Sequence, residues 1–399
     1  MQYAAITRRL KDLGGDKWAI HNAARDRLNQ GEDIIELTIG EPDIPTDPGL
    51  IEICADSMRR GRTRYSNGRG EAGLIKALQR TYASRLPEIA PENILCFPGT
   101  QTALFAVMLA LVEEGDGVLI GDPYYATYDG VVEATGAKVQ AVPLKMEHGF
   151  VPQPHDLQTA ITPNSRVLLL NTPHNPSGSV INHDSMRAIG DIALAHDLWI
   201  VCDEVYESLI FEGEFCSPLE FAPLRERTIV VSSISKSHAA TGFRSGWAIG
   251  PKEAMRLLLP ISETMLFGNQ PFIADMTEAA LTDDYDTAER LRTSLARRAR
   301  TCQAAFEAAE GLSSFLPRGG MFMLVDVSAT GLGGEAFAWR LLEEEAVAVM
   351  PGNSFGGQAG HLIRLGLTLP DAKLAEAVRR ITALSARLCA ARFPAKAQA

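Results

Sequence analysis

The sequence lacks paired cysteines. Its six (Cys54, Cys96, Cys202, Cys216, Cys302 and Cys389) are scattered along the chain, none at the close spacing of a zinc or redox site. A disulfide framework is thereby excluded, and buried thiols in a reducing compartment are expected. A long apolar run is also missing. The longest, residues 103–112, spans ten residues, too short to cross a bilayer. Residues 1–10 carry no apolar signal core. Positive charge is in deficit, with 38 Lys and Arg against 49 Asp and Glu and a net charge of −11. A phosphate backbone or an anionic membrane would repel that balance. No nucleic-acid partner and no membrane are expected, and the location is expected to be cytoplasmic. The eight histidines show no metal-ligand spacing with Cys, Asp or Glu, so no metal is expected. Repeats, low-complexity tracts and a G-x-x-x-x-G-K-[ST] phosphate loop are absent.

What remains is ordinary globular composition, 46% apolar and 22% charged over 399 residues. Such a chain can bury a large core and divide into two or three domains. Short apolar runs alternate with helical patterns, the signature of a mostly parallel sheet with helices on both faces. Strands are expected near residues 94–97, 118–120, 167–170, 199–202, 228–231 and 247–249. Buried or amphipathic helices are expected over 100–112 and 185–196. Residues 286–310, rich in Ala, Arg and Glu without Pro or Gly, predict one long helix. A strand (321–327), a helix (335–345), a strand near 361–365 and a final helix from 372 to about 388 follow, as a smaller α+β unit. The expected division is residues 1–47 as an N-terminal arm and part of the small domain, 48–285 as a large α/β domain, and 286–399 as linker helix and small domain.

In an open parallel sheet, ligands bind beyond the carboxyl ends of the strands, and polar clusters fall at several such ends. Gly99-Thr100-Gln101 starts a helix, where free N–H groups favour a phosphate; a turn glycine with an N-cap threonine is the plain alternative. Ser233, Ser235 and Lys236 follow an apolar strand, with Arg244 beyond. A desolvated lysine there has a lowered pKa and forms a Schiff base with an aldehyde, while the hydroxyls and arginine suit a phosphate. A polar loop with a surface lysine is the alternative. Asp203 follows a buried strand and calls for a cationic partner, unless it only caps the next helix. Tyr206, three residues on, faces the same side of a helical turn. Residues 171–178, with two X-Pro steps and a glycine, fix an unusual path that positions Asn175, or else form a plain turn.

In this order and spacing, these clusters resemble the class I/II (fold type I) aminotransferases, which depend on pyridoxal phosphate. The likeness is carried by Ser233-x-Ser235-Lys236 with Arg244, residues 171–178, the Asp203/Tyr206 pair, Tyr65 followed by Gly70, and the span from Gly40-Glu41-Pro42-Asp43 to Arg364. The resemblance implies that Lys236 holds the cofactor and moves the proton. It implies that Asp203 pairs with the pyridinium nitrogen, and that Tyr206 and Asn175 bond the phenolic oxygen. Gly99, Thr100, Gln101, Ser233, Ser235 and Arg244 would bind the cofactor around its phosphate, Tyr125 would stack on the ring, and Tyr65 would reach the neighbouring subunit's phosphate, making the unit a homodimer. Arg364 would grip the substrate carboxylate, helped by Asn175 and the Gly40 backbone, with Trp18 lining the side-chain pocket.

The expected activity is transfer of an L-α-amino acid's amino group to pyruvate or 2-oxoglutarate, with a basic or broad donor range; the alternative is carbon–sulfur β-lyase chemistry on the same fold. Dicarboxylate-specific members often present a second cation from the stretch before Pro271, but residues 259–270 hold no Arg or Lys and do hold Glu263. The wording of residues 235–247 and 265–268 most resembles arginine–pyruvate aminotransferases. A regulator built on this fold would carry a DNA-binding module ahead of the Gly40 segment, and 39 residues leave it no room.

Overall fold

The computed structural model describes residues 2–11, 16–266 and 268–392. In chain order the strands are β1 (Ile35–Glu36), β2 (Ile94–Phe97), β3 (Gly117–Asp122), β4 (Lys138–Pro143), β5 (Ser165–Asn171), β6 (Trp199–Asp203), β7 (Thr228–Ser233), β8 (Gly246–Ile249), β9 (Ser313–Ser314), β10 (Phe322–Asp326), β11 (Val347–Ala348), β12 (Met350–Pro351) and β13 (Leu362–Gly366). Strands β2 to β8 form a seven-stranded sheet of order β2-β8-β7-β6-β5-β3-β4. β8 runs antiparallel to both its neighbours; the other pairs are parallel. Mostly parallel pairing with helical crossovers is the expected α/β architecture.

The central strands are continuous apolar runs because both faces of the sheet are covered. Period-two alternation divides them between two cores. Val167, Leu169 and Val201 face one cluster, and Leu168, Leu170, Ile200 and Cys202 face the other. A third cluster surrounds the four-stranded sheet β12-β13-β10-β9 and takes in the helices Thr287–Glu307 and Asp371–Arg392. On the first of these helices Leu291, Leu295, Ala299, Cys302 and Phe306 are buried, the i, i+4 stripe of an amphipathic helix. β1 pairs with β11 in parallel, tying residues 35–36 to that half of the molecule. Arg298 on the same helix bonds both the largely buried Asp43 and the exposed Asp371, a tie between the Gly40 segment and the C-terminal helix.

Several boundaries differ from expectation for local reasons. The helix expected from 185 starts at His183, because Asn182 accepts the Ser185 N–H as N-cap. The helix after β2 is capped by Gly99, not Thr100, which is its first residue. Strand β4 (KVQAVP) lies at the sheet edge, only partly buried, and Lys138 and Gln140 interrupt its apolar residues, so the apolar-run criterion passes over it. All six cysteines are free and buried. Among the described residues no helix is long and apolar enough to cross a membrane, and no group of His, Cys, Asp and Glu could hold a metal ion.

Candidate active site

The ends of β3, β5, β6 and β7 converge on one cleft of about 260 Å³. It is lined by Trp18, Gly40, Thr100, Gln101, Tyr125, Asn175, Asp203, Tyr206, Ser233, Ser235, Lys236, Arg244 and Arg364. These come from positions 18 to 364, so chain topology assembles the site. Gly99 lies directly beneath Arg244: with φ +84, a Cβ there would sit 2.2 Å from an Arg244 guanidinium nitrogen. Only a glycine lets the arginine lie over the helix start. Tyr65 is the exception. It is 91% exposed and lines a separate cavity of about 580 Å³ with residues 63–66 and 268–272. Phe267, in the stretch likened to arginine–pyruvate enzymes, lies outside the described residues.

Lys236 lies in the connection between β7 and β8 and donates to the Gly40 carbonyl at 2.7 Å. Burial pushes its amine down to about 8, with Arg244 and Arg364 adding to the effect and Glu41 and Asp203 opposing it. A substantial fraction is therefore neutral and nucleophilic in mildly alkaline solution.

Asp203 is 5% exposed. One carboxylate oxygen accepts the Tyr128 hydroxyl at 2.8 Å and the other accepts the Val205 N–H at 3.1 Å. The second bond is a local turn bond and not the helix cap offered as the plain alternative, since the short helix that follows (Glu207–Leu209) has Tyr206 at its N-cap. Burial raises its pKa to about 6 despite these bonds and the nearby Lys236. The arrangement is a carboxylate waiting for a cation. Tyr128 was not singled out in the sequence, although it lies three residues after Tyr125 and packs edge-on against it at 5.5 Å.

The loop after β5 is bound internally. Asn171 donates to the Asp203 carbonyl at 2.9 Å and accepts the Asn175 N–H at 2.7 Å. Asn175 in turn bonds Tyr206 and accepts from Arg364 at 3.1 Å. His174 is buried, and its pKa is pushed down to about 4 by burial; it bonds Ser177 at 2.7 Å and acts as a satisfied neutral core histidine.

Arg364, on β13, is 3% exposed. It also donates to the Thr38 carbonyl. Its guanidinium carbon lies 4.1 Å from the Phe322 ring centroid and 4.5 Å from that of Phe355, a pair of cation–π contacts. Burial lowers its pKa to about 10, so it remains cationic at neutral pH. Its Nε is buried without a hydrogen-bond partner. Phe322, Phe355 and Thr38 are absent from the sequence-based set; their only signal is spatial.

Two spacings match fingerprints of other enzyme classes but not their context. Gly68-x-Gly70-x-x-Gly73 has the dinucleotide-loop spacing, yet it does not follow a strand, and its glycines pack against Glu263, Cys96 and Glu278. Gly352-x-Ser354-x-Gly356 has the spacing of a nucleophile elbow. Ser354, however, donates to the Lys17 carbonyl at 2.8 Å, and it sits in a single 3-10 turn (Gly352–Phe355) after the two-residue β12, with no α-helix following it.

Pyridoxal phosphate needs an amine for its aldehyde, an anion cradle, and a carboxylate for its ring nitrogen. Lys236 and Asp203 supply the first and last. The cradle is the helix start at Gly99, the Arg244 guanidinium above it, the buried Ser233 and Ser235, and the Thr100 hydroxyl, which is buried without a partner. The residues fit the cofactor.

Comparison with known proteins agrees. The family model for aminotransferase class I and II matches residues 32–381. The chain is 38% identical to the arginine–pyruvate transaminase AruH of Pseudomonas aeruginosa, over 97% of this chain and 99% of that protein. It is 33% identical to the aspartate/prephenate aminotransferase of Thermus thermophilus, over 92% and 95%. Among solved structures, the aspartate aminotransferase from Rhizobium meliloti matches with a TM-score of 0.91 at 28% identity, covering 97% of this chain and 99% of that one. The Thermus thermophilus aspartate aminotransferase with maleate matches at 0.90 and 31% identity, covering 96% and 100%. With matches along nearly its whole length in both sequence and fold, the chain belongs to the class I and II aminotransferases and is a pyridoxal-phosphate-dependent aminotransferase.

Proposed function

We propose that the enzyme transfers the amino group of an L-α-amino acid with a basic or broad range of side chains to pyruvate or 2-oxoglutarate. One observation carries this reading. A desolvated amine and a buried guanidinium with an unused N–H, Lys236 and Arg364, share a single cleft. The amine suits an aldehyde, and the planar guanidinium suits the carboxylate common to every amino acid and 2-oxo acid. The donor range is supported by the absence of Arg and Lys from residues 259–270 and by the name of the Pseudomonas relative.

When bound, pyridoxal phosphate supplies an electron sink that stabilises negative charge at the substrate Cα. The chain's own residues do the rest. Lys236 anchors the cofactor and then carries a proton to and from Cα. Asp203 keeps the ring nitrogen protonated: opposite charges about 3 Å apart interact by roughly 5 kcal/mol even at an effective dielectric of 20. Tyr206 and Asn175 would hold the cofactor by its ring oxygen, and Tyr125 would help to hold its ring. Gly99, Thr100, Gln101, Ser233, Ser235 and Arg244 hold the phosphate. Arg364, Asn175 and the Gly40 backbone place the substrate carboxylate, and Trp18 borders the side-chain pocket.

The working unit in this reading is a cytoplasmic homodimer. Tyr65, exposed and outside the cleft of its own chain, serves the site of the second copy. The chain divides into residues 1–47 (arm and part of the small domain), 48–285 (large domain) and 286–399 (linker helix and small domain).

Purified protein is expected to be yellow, to lose the colour on borohydride treatment only by fixing the cofactor to the chain, and to lose both colour and turnover in Lys236→Ala. A panel of donors with pyruvate and 2-oxoglutarate reads the substrate range. An enzyme that released pyruvate and ammonia continuously from donor alone would be a β-lyase, and the transfer reading would fall. Sedimentation at the dimer mass, and activity regained on mixing Tyr65→Ala with Lys236→Ala chains, test the shared site.

A further inference from the structure

Beside the cleft, a buried carboxylate faces the small sheet's loops without a cation. Asp122, the last residue of β3, is 4% exposed. Its oxygens accept the Gly357 N–H at 2.9 Å and the Gln358 N–H at 3.2 Å. Among the described residues it has no ion pair, and burial raises its pKa. The fit is close: a Cβ on Gly356, whose φ is +126, would lie 2.2 Å from an Asp122 oxygen. Two residues on, the Tyr124 N–H donates to the Phe355 carbonyl at 2.7 Å. From the other side Ser354 donates to the Lys17 carbonyl. The loop 352–358 is thus pinned to the end of β3 and to the segment that carries Trp18.

This loop bears Phe355, whose ring packs against Arg364. Trp18 packs against the small cluster that Phe355 forms with Ala126 and Met350. A buried carboxylate costs desolvation energy that an apolar residue would avoid. What it gives in return is two strong acceptor positions fixed by the end of a central strand, which hold two consecutive N–H groups of a loop from the other half of the molecule.

We propose that Asp122 is a positioning residue for substrate binding: by clamping residues 355–358 to β3, it holds Phe355 against Arg364 and so fixes the guanidinium plane for the carboxylate shared by amino donor and oxo acid. The inference rests on the assignment of Arg364 to that carboxylate. It extends the site to a residue that touches neither substrate nor cofactor.

The test uses the cofactor-loaded enzyme in wild-type, Asp122→Asn and Asp122→Ala forms. KM and kcat are measured for the amino donor and the oxo acid. The rate at which a simple amine without a carboxylate bleaches the yellow colour is measured beside them. Asp122→Ala is expected to raise KM for both acids by about tenfold or more, the scale of losing hydrogen bonds to a charged acceptor. Asp122→Asn, with one acceptor oxygen left, is expected to raise it less. The colour and the amine rate are expected to stay at wild-type values. Phe355→Leu keeps an apolar side chain but removes the ring from Arg364 and leaves Asp122 intact; it is expected to show the same selectivity for acids, which keeps the test decisive if Asp122→Ala fails to fold. Unchanged KM values, or equal losses with acids and the amine, would overturn the proposal. Arg364→Ala on the same substrates separates the two assignments: if it too discriminates nothing, the carboxylate site itself is misplaced, and if it alone is acid-selective, only Asp122 is.

Discussion

Asp203→Asn should move stability and activity in opposite directions. In the cofactor-free protein Asp203 is buried against Tyr128 and Val205 with a pKa of about 6, against an ordinary 3.8. The difference is about two units, so holding the charge costs about 3 kcal/mol at pH 7. The sign follows from proton binding. Between pH 3.8 and 6 the folded state holds more protons than the unfolded one, so stability falls as pH rises through that window. Asparagine is neutral throughout and escapes the cost. Cofactor-free Asp203→Asn should therefore be more stable than wild type by about 3 kcal/mol at pH 7, and the gap should close near pH 4. Urea unfolding of both proteins, stripped of cofactor, at the two pH values measures it. With cofactor bound, the same substitution removes the charge partner of the ring nitrogen, and kcat should fall by orders of magnitude. A cofactor-free variant no more stable than wild type at pH 7 would refute the reasoning, because the carboxylate would then already be satisfied without a cation.

Three further outcomes are expected. Arg364→Ala should raise KM for every amino acid and oxo acid by about 30-fold or more, from the loss of roughly 2–5 kcal/mol in a buried charge pair, and steady-state kinetics across the donor panel would show it. The rate at which cofactor-free protein regains its yellow colour on adding pyridoxal phosphate should rise with pH through about 8, where Lys236 loses its proton, and level off above; stopped-flow absorbance follows it. Arg298→Ala, which leaves Asp43 and the Leu367 carbonyl without their buried partner, should destabilise the protein by about 3 kcal/mol in denaturant titration.

Much of this site is legible in the sequence because α/β sheets concentrate polar residues where strands end. Asp203, Asn171, Ser233 and Gly99 each follow an apolar run, and the run announces the position. The lysine's position is legible too, since residue 236 comes just after the apolar run that forms β7. What resists reading is support from across the chain. Phe322 and Phe355 look like ordinary core aromatics until β10, β12 and β13 come together and bring both rings against Arg364. Tyr128 reads as a helix residue, and its partner lies 75 positions away. Asp122 reads as a turn residue before proline. Its partners, Gly357 and Gln358, carry no side-chain signal because only their backbone N–H groups are used. Short-range pattern thus marks the groups that meet the ligand, and folding alone reveals those that hold them still.

The antiparallel course of β8 has a practical corollary for altering this enzyme. Because β7 and β8 are antiparallel neighbours, with Ser233 opposite Gly246 at the base of the connection 234–245, the amine of Lys236 and the guanidinium of Arg244 are both carried by one loop anchored on that strand pair. Trp18 and Gly40, by contrast, belong to a stretch held by the two-residue pairing of β1 with β11. Library mutagenesis seeking new donors is therefore best centred on Trp18, while Gly40, whose carbonyl accepts from Lys236 and whose α-carbon abuts Phe322, stays fixed with β7 and β8.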